Sequence, residues 1–425
     1  MHLIKRVTYY SLIKIISTIG QFIFLPIAVS KLGLNDYGIY VLMLQSALLI
    51  KLICVQPVIQ VIIREYDTLK YKFSDGEISS LGLLFSLPIV IFGMGAIIVI
   101  TKYTGVNFDF THFQLLLIAA FTVVMIGNEI KQTISYVTNF KVYIRYELFS
   151  PLGAILCLII ISQISSSAEN FIIISIIFNL LFGYVFFGYN KIFNPKNENI
   201  KIFWKSIKLY GIPLMIGEVF CWIISTSDRF QIAAQLDVSE AAKYAIGYQI
   251  FTMPLAILGF STAIQSTVMA KSIAEYKRQM EGGSSVLLLI SIVFFLGCML
   301  FGKYILSILF NRNIDIDIGL ITLLSLGGIA YAFYHMELLS AKYAKSTRLI
   351  LIGQCFGGAF VLVGNYLLLP IIGIKAAALT TIAAYLAQIF IIRLFINKIY
   401  KYNIFNYRLL IEEILSKINE IKNKK

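Results

Sequence analysis

The chain has 425 residues, of which 59% are apolar and 14% are charged, whereas a soluble globular domain carries about 25% charged residues. This composition excludes most soluble enzymes and leaves no room for a large soluble domain beside a set of membrane-spanning helices of about 20 residues each. The formal net charge is +14, and the five cysteines lie scattered in apolar runs, which excludes a disulfide framework and a paired-cysteine metal site.

Twelve apolar stretches separated by polar breaks are long enough to cross a bilayer. Each is hydrophobic all round, as expected for a helix that faces lipid and neighbouring helices. They cover residues 9–30, 38–63, 80–101, 113–137, 148–165, 169–188, 209–228, 244–268, 285–306, 318–341, 347–369 and 374–396. The fifth and sixth flank a polar run at 162–170, where we predict two short helices rather than one long kinked helix.

The distribution of Lys and Arg predicts the orientation, because cytoplasmic loops near helix ends are enriched in these residues. With the N-terminus in the cytoplasm, most of the 36 basic residues fall on the cytoplasmic side, and both termini lie there. The net charge therefore reflects membrane topology, and we expect no nucleic-acid partner.

The spans divide evenly around a basic linker, and the two halves align weakly when Lys14 is placed on Glu218 and Tyr40 on Tyr244. Six spans per half make this a parallel repeat, which is typical of transporters with a cavity between two bundles. Chance similarity of two apolar segments is the alternative. The predicted division is an N-terminal six-helix bundle (1–190), a basic cytoplasmic linker with an interfacial helix (191–208), a C-terminal six-helix bundle (209–397) and a basic cytoplasmic tail (398–425).

The linker carries an amphipathic segment. Its basic and apolar residues alternate at helical spacing: Lys201, Lys205 and Lys208 against Phe203, Trp204 and Ile207. This pattern predicts a short helix that lies on the inner leaflet, with a helix docked on the protein as the alternative. The tail after Asn406 has a similar apolar stripe and predicts a second interfacial helix, with a solvated tail or a helix docked on the protein as the alternatives.

Five motifs resemble those of polysaccharide-repeat flippases. They are LGLNDYGIY at residues 32–40, YGIPL at 210–214, DRF at 228–230, NYLLLP at 365–370 and GIKAAA at 373–378. Together they extend over nearly the whole chain, and their order is more specific than any single motif. The chain thereby resembles the Wzx-like flippases of the multidrug/oligosaccharidyl-lipid/polysaccharide exporter superfamily.

The resemblance implies an all-α integral membrane protein with about twelve transmembrane helices in two pseudo-symmetric six-helix bundles, a multidrug-and-toxin-extrusion-like fold. It implies a flippase of a bacterial cytoplasmic (inner) membrane that moves undecaprenyl-diphosphate-linked oligosaccharide repeat units to the outer leaflet by alternating access. The product would serve O-antigen, lipopolysaccharide or capsular polysaccharide synthesis. The implied partners are that lipid-linked oligosaccharide, membrane lipid, a polysaccharide polymerase and a chain-length regulator.

Ionisable residues deep in a membrane are costly and are candidates for function by default. Lys51 is the clearest of these candidates, because about thirteen residues, or roughly 20 Å of helix, separate it from either end of its span. It is expected to line a polar cavity and contact an anionic substrate, or else to form a buried structural pair. Lys14 lies nearer a helix end and can reach the interface, whereas Glu218 cannot. An ion pair between Lys14 and Glu218 would close one gate.

The remaining intramembrane charges come in close pairs. Glu129 and Lys131 are two residues apart, roughly 200° around a helix, so they cannot face the same cavity and one is expected to pair with a neighbouring helix. Glu337 has His335 at the same spacing, without a third metal ligand. Asp228 and Arg229 end the seventh span, either as a gating element at the outer mouth or as a charge pair among headgroups.

These considerations give the predicted site. We assign four basic residues to substrate binding and four acidic residues to coupling or gating: Lys51, Lys14, Lys131 and Arg229, and Glu218, Glu337, Glu129 and Asp228. No catalytic residue, metal site or cofactor is expected, although a lone intramembrane Glu can bind a coupling proton or sodium ion.

Two rival functions differ in class. A cation-coupled multidrug or metabolite antiporter of the same fold is the closest, but deep lysines do not suit a cavity for cationic drugs. A membrane-embedded glycosyltransferase or polymerase would normally need a substantial outer loop with catalytic residues, and no nucleotide-binding GxxxxGK[ST] motif is present.

Overall fold

The computed structural model describes residues 3–70, 73–103, 110–164, 167–188, 197–252, 272–310 and 314–404. All twelve longer elements in these ranges are α-helices, and the same ranges contain no strand. The helices are α1 (Leu3–Lys70), α2 (Asp75–Tyr103), α3 (His112–Thr138), α4 (Phe140–Ile164), α5 (Ala168–Phe187), α6 (Asn197–Ser206), α7 (Ile212–Gln235), α8 (Val238–Phe251), α9 (Ile273–Phe310), α10 (Ile318–Tyr343), α11 (Thr347–Ile372) and α12 (Lys375–Phe395). The predicted all-α fold class is confirmed.

Eight helices in the described part of the chain are long and apolar enough to cross a membrane. They lie at Phe22–Ile63, Asp75–Gly95, His112–Thr138, Ala168–Phe187, Ile273–Phe310, Ile318–Tyr343, Arg348–Ile372 and Lys375–Phe395. The predicted spans 148–165 and 209–228 fall in α4 and α7, which are not among the eight. Most of the predicted span 244–268 lies outside the described residues. The protein is a multi-pass membrane protein.

Helix α1 contains the first two predicted spans, which meet at a break. Gly33 has φ 73° and ψ 173°, a backbone conformation that costs a residue with a Cβ atom far more than it costs glycine. The helical path therefore changes direction between the predicted spans 9–30 and 38–63.

Helices α4 and α5 are separate, as the polar run between them predicts. α4 ends at Ile164, and α5 begins at Ala168 after an N-cap serine. The Ser167 side chain accepts a hydrogen bond from the backbone N–H of Asn170 at 3.4 Å, which satisfies a donor that the first turn leaves free.

Contacts divide the chain into two compact units, Met1–Ala245 and Ile246–Lys425. In the first unit, α1 is the central element, because it packs against each of α2, α3, α4, α5 and α7. The predicted boundaries at 190 and 208 describe a sequence repeat rather than compactness, and that division stays a prediction.

In the second unit, α12 packs against both α10 and α11, and α10 also packs against α9. An apolar cluster joins α9 to α10 through Tyr276, Met280, Met336 and Leu339, all of them buried. The segment 398–404, which follows α12, adds the buried Tyr402 to this cluster. The chain after the last span is thus tied to the unit by packing.

Candidate functional site

The central feature of the first unit is an ion pair between α1 and α3. The ammonium of Lys51 lies 2.7 Å from Oε2 of Glu129, and the two side chains keep 21% and 28% of their exposed area. The pair joins two helices that pack closely along their length. Lys51 is therefore paired and partly exposed, and its contact with an anionic substrate stays a prediction.

Polar contacts extend from this pair along α3. Gln132 donates a hydrogen bond to Glu147 of α4, and Nδ2 of Asn128 donates to the backbone carbonyl of Asn179 at 2.8 Å. Lys131 donates to the carbonyl of Gly188 at 3.1 Å, just past the end of α5. Cations near a helix C-terminus interact favourably with its unpaired carbonyls.

The predicted divergence of Glu129 and Lys131 is confirmed. Glu129 turns to Lys51 of α1, whereas Lys131 turns to the carboxyl end of α5. The sequence also held a signal for the Lys51–Glu129 pair. Both residues precede the inner ends of their spans, at 63 and 137, and their depths differ by about four residues, or roughly 6 Å of helical rise.

A second ion pair is sealed inside the first unit. Nη1 of Arg229 lies 3.1 Å from Oδ1 of Asp228 and donates to the backbone carbonyl of Ser225 at 2.8 Å. Asp228 is 0% and Arg229 is 6% exposed, and the guanidinium lies 5.9 Å from the ring centre of Tyr244. Because α7 continues to Gln235, these residues do not end the helix as predicted, and their burial does not fit a charge pair among headgroups.

Next to this pair, the segment after Gly33 packs against the start of α8. A Cβ atom on Gly38 would lie 2.5 Å from the backbone oxygen of Val238, so only glycine fits this contact. Tyr37 and Tyr40 are buried on either side of Gly38. We call this contact the 38/238 junction; the predicted topology places it on the outer side of the membrane.

Asp237 shapes the same junction by capping α8. Its carboxylate accepts hydrogen bonds from the backbone N–H groups of Val238, at 2.8 Å, and of Ser239, at 3.3 Å. Hydrogen bonding from Ser239 holds the pKa of Asp237 below its usual range. The cap fixes the residue, Val238, that meets Gly38.

The predicted pair between Lys14 and Glu218 stays a prediction. Lys14 belongs to α1, but its side chain lies outside the described residues. Glu218 lies on α7 with an exposed side chain.

Glu337, the predicted coupling residue of the second unit, lies in a buried cluster. Its Oε1 accepts hydrogen bonds from Nε of Arg393 at 2.7 Å and from the hydroxyl of Tyr402 at 2.9 Å. Burial and the neighbouring carboxylate raise the pKa of Tyr402 well above its usual value, which keeps the donated proton on the phenol. Its coupling role stays a prediction, and the contacts give Glu337 a structural one.

Sequence reasoning missed both partners of Glu337. Arg393 lies within the last predicted span, 374–396, and Tyr402 in the predicted tail, 398–425, and nothing in the sequence pattern singles them out. The available signal was the tail's short distance from the end of α12.

His335 lies apart from this cluster, with its ring 4.3 Å and 5.4 Å from those of Tyr331 and Tyr334. Among the described residues, no three His, Cys, Asp or Glu side chains are grouped to hold a metal ion.

Solved structures with the same architecture are those of transporters. The chain is 13% identical to the lipid II flippase MurJ in an inward closed conformation, with a TM-score of 0.66 over 95% of this chain and 88% of that one. It is 12% identical to an inward-facing multidrug resistance MATE family transporter of the MOP superfamily, with a TM-score of 0.64 over 90% and 97%. The fold is that of these transporters.

A further likeness widens the range of functions on this fold. A MOP superfamily transporter from Pyrococcus furiosus, described as having a binding pocket of reverse polarity, shares 12% identity and a TM-score of 0.62 over 93% of this chain and 96% of that one. No known family profile and no curated protein sequence matches the chain. At these identities the likeness establishes the multidrug-and-toxin-extrusion-like fold that the sequence resemblance implies, and the substrate has to be argued from the site.

Proposed function

We propose that this protein is a flippase that moves undecaprenyl-diphosphate-linked oligosaccharide repeat units from the cytoplasmic to the outer leaflet of a bacterial inner membrane. The single observation that carries the proposal is the partly exposed Lys51–Glu129 pair at mid-depth of a membrane helix. No covalent bond is made or broken in this function.

A cation deep in the membrane lowers the energetic cost of moving a charged substrate across it. A diphosphate cannot cross hydrocarbon unaided, because moving its charges out of water costs far more than thermal energy. A lysine whose ammonium remains reachable supplies an opposite charge where water is scarce. The diphosphate would take the place of the Glu129 carboxylate beside Lys51, so that the cation is partnered before, during and after passage.

Glu129 is the coupling residue in this scheme. When the diphosphate binds Lys51, the carboxylate loses its ion-pair partner, and binding of a proton or a sodium ion would compensate the charge that is left. Glu218, which is exposed on α7, is a second candidate for such a cation. The likeness to a protein named as a lipid II flippase supports a lipid-linked substrate for this fold.

Alternating access requires closure on the outer side while the site is loaded from the cytoplasm. The 38/238 junction and the sealed Asp228–Arg229 pair would provide that closure, with Arg229 exposed to the anionic substrate only when the junction opens. Lys131, already bonded to the end of α5, would contact substrate at the cytoplasmic approach. The polymerase and chain-length regulator would act on the delivered repeat units.

A cation-coupled multidrug or metabolite antiporter is the second candidate. Glu129 keeps 28% of its side-chain area exposed, which leaves a carboxylate available to a cationic drug, and several structures of the same fold are named as MATE transporters. In that case Lys51 would serve only to hold Glu129 between transport events.

The test restores surface polysaccharide in a bacterial strain that lacks its own flippase. The intact gene and Lys51→Arg should restore it, whereas Lys51→Ala should reduce it at least tenfold at equal protein level, since about 1.4 kcal/mol of lost binding is already tenfold. The matched control is Lys243→Ala, which breaks another ion pair of similar exposure, Lys243–Glu240 at 2.6 Å, and should restore polysaccharide fully.

The same strains separate the two candidates. Loss of drug resistance, with polysaccharide unaffected, in Glu129→Gln would establish the antiporter instead. Full polysaccharide in Lys51→Ala would exclude Lys51 as the substrate contact.

A further inference from the structure

Helix α6 and the π-helical turn after it, Ile207–Gly211, together present a basic face, called here the face of α6, that the proposed transport site does not use. Lys201, Lys205 and Lys208 are all exposed, and their spacing of four and three residues places them on one side of a helix. Phe203 and Ile207 are buried beneath them, at 2% and 0% exposure. The helix is thus docked on the protein through its apolar residues, and its lysines point away.

An indole stands within this basic face. Trp204 is 39% exposed, and its ring centre lies 5.2 Å from that of Phe85 on α2. Nζ of Lys208 lies 4.9 Å from the same indole. Tryptophan side chains favour the headgroup level of a bilayer, so contact with a membrane-spanning helix holds Trp204 at a defined depth.

Apolar side chains and uniform charge complete the surface. Ile202 and Leu209 are 39% and 59% exposed beside the lysines, and residues 200–211 contain no acidic residue. Lysines that carry the charge, an indole at the interface and apolar side chains that reach toward acyl chains are the components of a helix that lies in the headgroup region.

The surface also adjoins the helix that carries Lys51. A π-helical turn, Ile207–Gly211, joins α6 to α7. A Cβ atom on Gly211 would lie 2.7 Å from the backbone oxygen of Pro57 and 2.8 Å from its Cα, so the two backbones touch. Pro57 lies within α1, less than two turns after Lys51.

We propose that the exposed face of α6 is a binding site for anionic phospholipid headgroups of the cytoplasmic leaflet. The lysines hold the phosphate, Trp204 fixes the glycerol level, and Ile202 and Leu209 contact the upper acyl chains. Three exposed cations on one face select an anionic phospholipid over a zwitterionic one of the same chain length. The inference is independent of which substrate the protein carries.

The protein allows a direct test, because it contains two tryptophans. In a Trp222→Phe background, Trp204 is the single indole of the full-length chain. Quenching of its fluorescence by phosphatidylglycerol with brominated acyl chains, titrated into zwitterionic nanodiscs, reports lipid at α6. Half-maximal quenching should require about tenfold less phosphatidylglycerol than phosphatidylcholine with the same brominated chains. Salt should weaken this preference.

Three variants decide the interpretation. The triple variant K201Q/K205Q/K208Q should lose the preference, and K201R/K205R/K208R should keep it. The matched control K345Q/K398Q/K401Q removes three exposed lysines of the second unit and should leave it unchanged.

Two outcomes would overturn the proposal. One is equal quenching by the anionic and zwitterionic lipids, which would reduce α6 to a passive interfacial helix. The other is full competition by millimolar inorganic phosphate, which would identify a site for a soluble anion rather than for lipid.

Discussion

The Lys51–Glu129 pair and the Glu337 cluster place similar charges inside similar helices, yet their surroundings differ. Lys51 and Glu129 keep 21% and 28% of their side-chain area exposed. Arg393 keeps 32%, but the Glu337 side chain keeps only 4%, and Arg393 and Tyr402 both donate to its carboxylate. A partly exposed carboxylate can exchange its partner for a ligand, whereas a buried carboxylate with two donors holds helices in place.

The sealed cluster also has more attachments. Tyr276 donates hydrogen bonds to Ser340 at 2.8 Å and to the backbone carbonyl of Tyr400 at 3.2 Å. Ser284 donates to the carbonyl of Ile404 at 2.7 Å. The segment 398–404 is thereby fastened to α9, α10 and α12, so Glu337 anchors the chain after the last span.

The largest expected effect follows from removing Arg393, the cation that pairs with Glu337. Arg393→Ala leaves the Glu337 carboxylate buried opposite Tyr402, which should cost about 3 kcal/mol or less, because the loss of one partner is most costly for a fully buried pair and Arg393 is 32% exposed. The midpoint of thermal unfolding in detergent should fall by several degrees. The double variant Arg393→Met with Glu337→Leu should recover most of this loss, because it removes the uncompensated charge; failure to recover would mean that Arg393 acts through packing.

The 38/238 junction is a second tightly packed contact, and it involves no ion pair between Gly38 and Val238. Gly38→Ala places a methyl group against the Val238 backbone, and overpacking of this kind costs about 1–3 kcal/mol. We expect a lower unfolding midpoint and easier opening of the outer side. Labelling of a cysteine introduced at Tyr37 by a membrane-impermeant maleimide should accelerate, and an unchanged labelling rate would separate the junction from gating.

The open pair should matter little for stability. Lys51→Ala and Glu129→Gln should each lower the free energy of unfolding by less than Arg393→Ala does, because the charged side chain left behind keeps 28% or 21% of its area exposed, against 4% for Glu337. A double-mutant cycle on the unfolding midpoint measures the coupling directly. If the coupling were as large as that between Arg393 and Glu337, the Lys51–Glu129 pair would be as important for stability as the Glu337 cluster.

The smallest effect is expected at a fully open pair in the second unit. Nζ of Lys375 lies 2.6 Å from Oδ2 of Asp317, and its hydrogen bond lowers the pKa of that carboxyl. Because the pKa of Asp317 is lower in the folded protein, its ion pair stabilises the fold at pH values above the ordinary aspartate pKa, near 4. This stabilisation disappears as the pH falls through the lowered pKa. The small difference in unfolding midpoint between the intact protein and Asp317→Asn should therefore vanish in acid; a difference that persists below pH 3 would assign it to the N-cap of α10.

Local patterns predicted most of the elements. Long apolar runs identified the membrane helices, the polar run at 162–170 separated α4 from α5, and the predicted break between spans 9–30 and 38–63 contains the turn at Gly33. The extent of α7 beyond Asp228 was not predicted, because the charged residues resembled the end of a span while the helix continues past a buried ion pair. The spacing of Glu129 and Lys131 predicted their divergence, since angular position on a helix is a local property.

The sequence by itself determined that this is an all-α membrane protein with charged groups at depth, because the cost of placing apolar and ionised side chains in water or lipid depends on each residue and its neighbours in the chain. Only the tertiary structure decided that Lys51 meets Glu129 openly while Glu337 is sealed by Arg393 and Tyr402. The partner and exposure of a charge depend on helices that are distant in sequence, and no local pattern records how those helices pack.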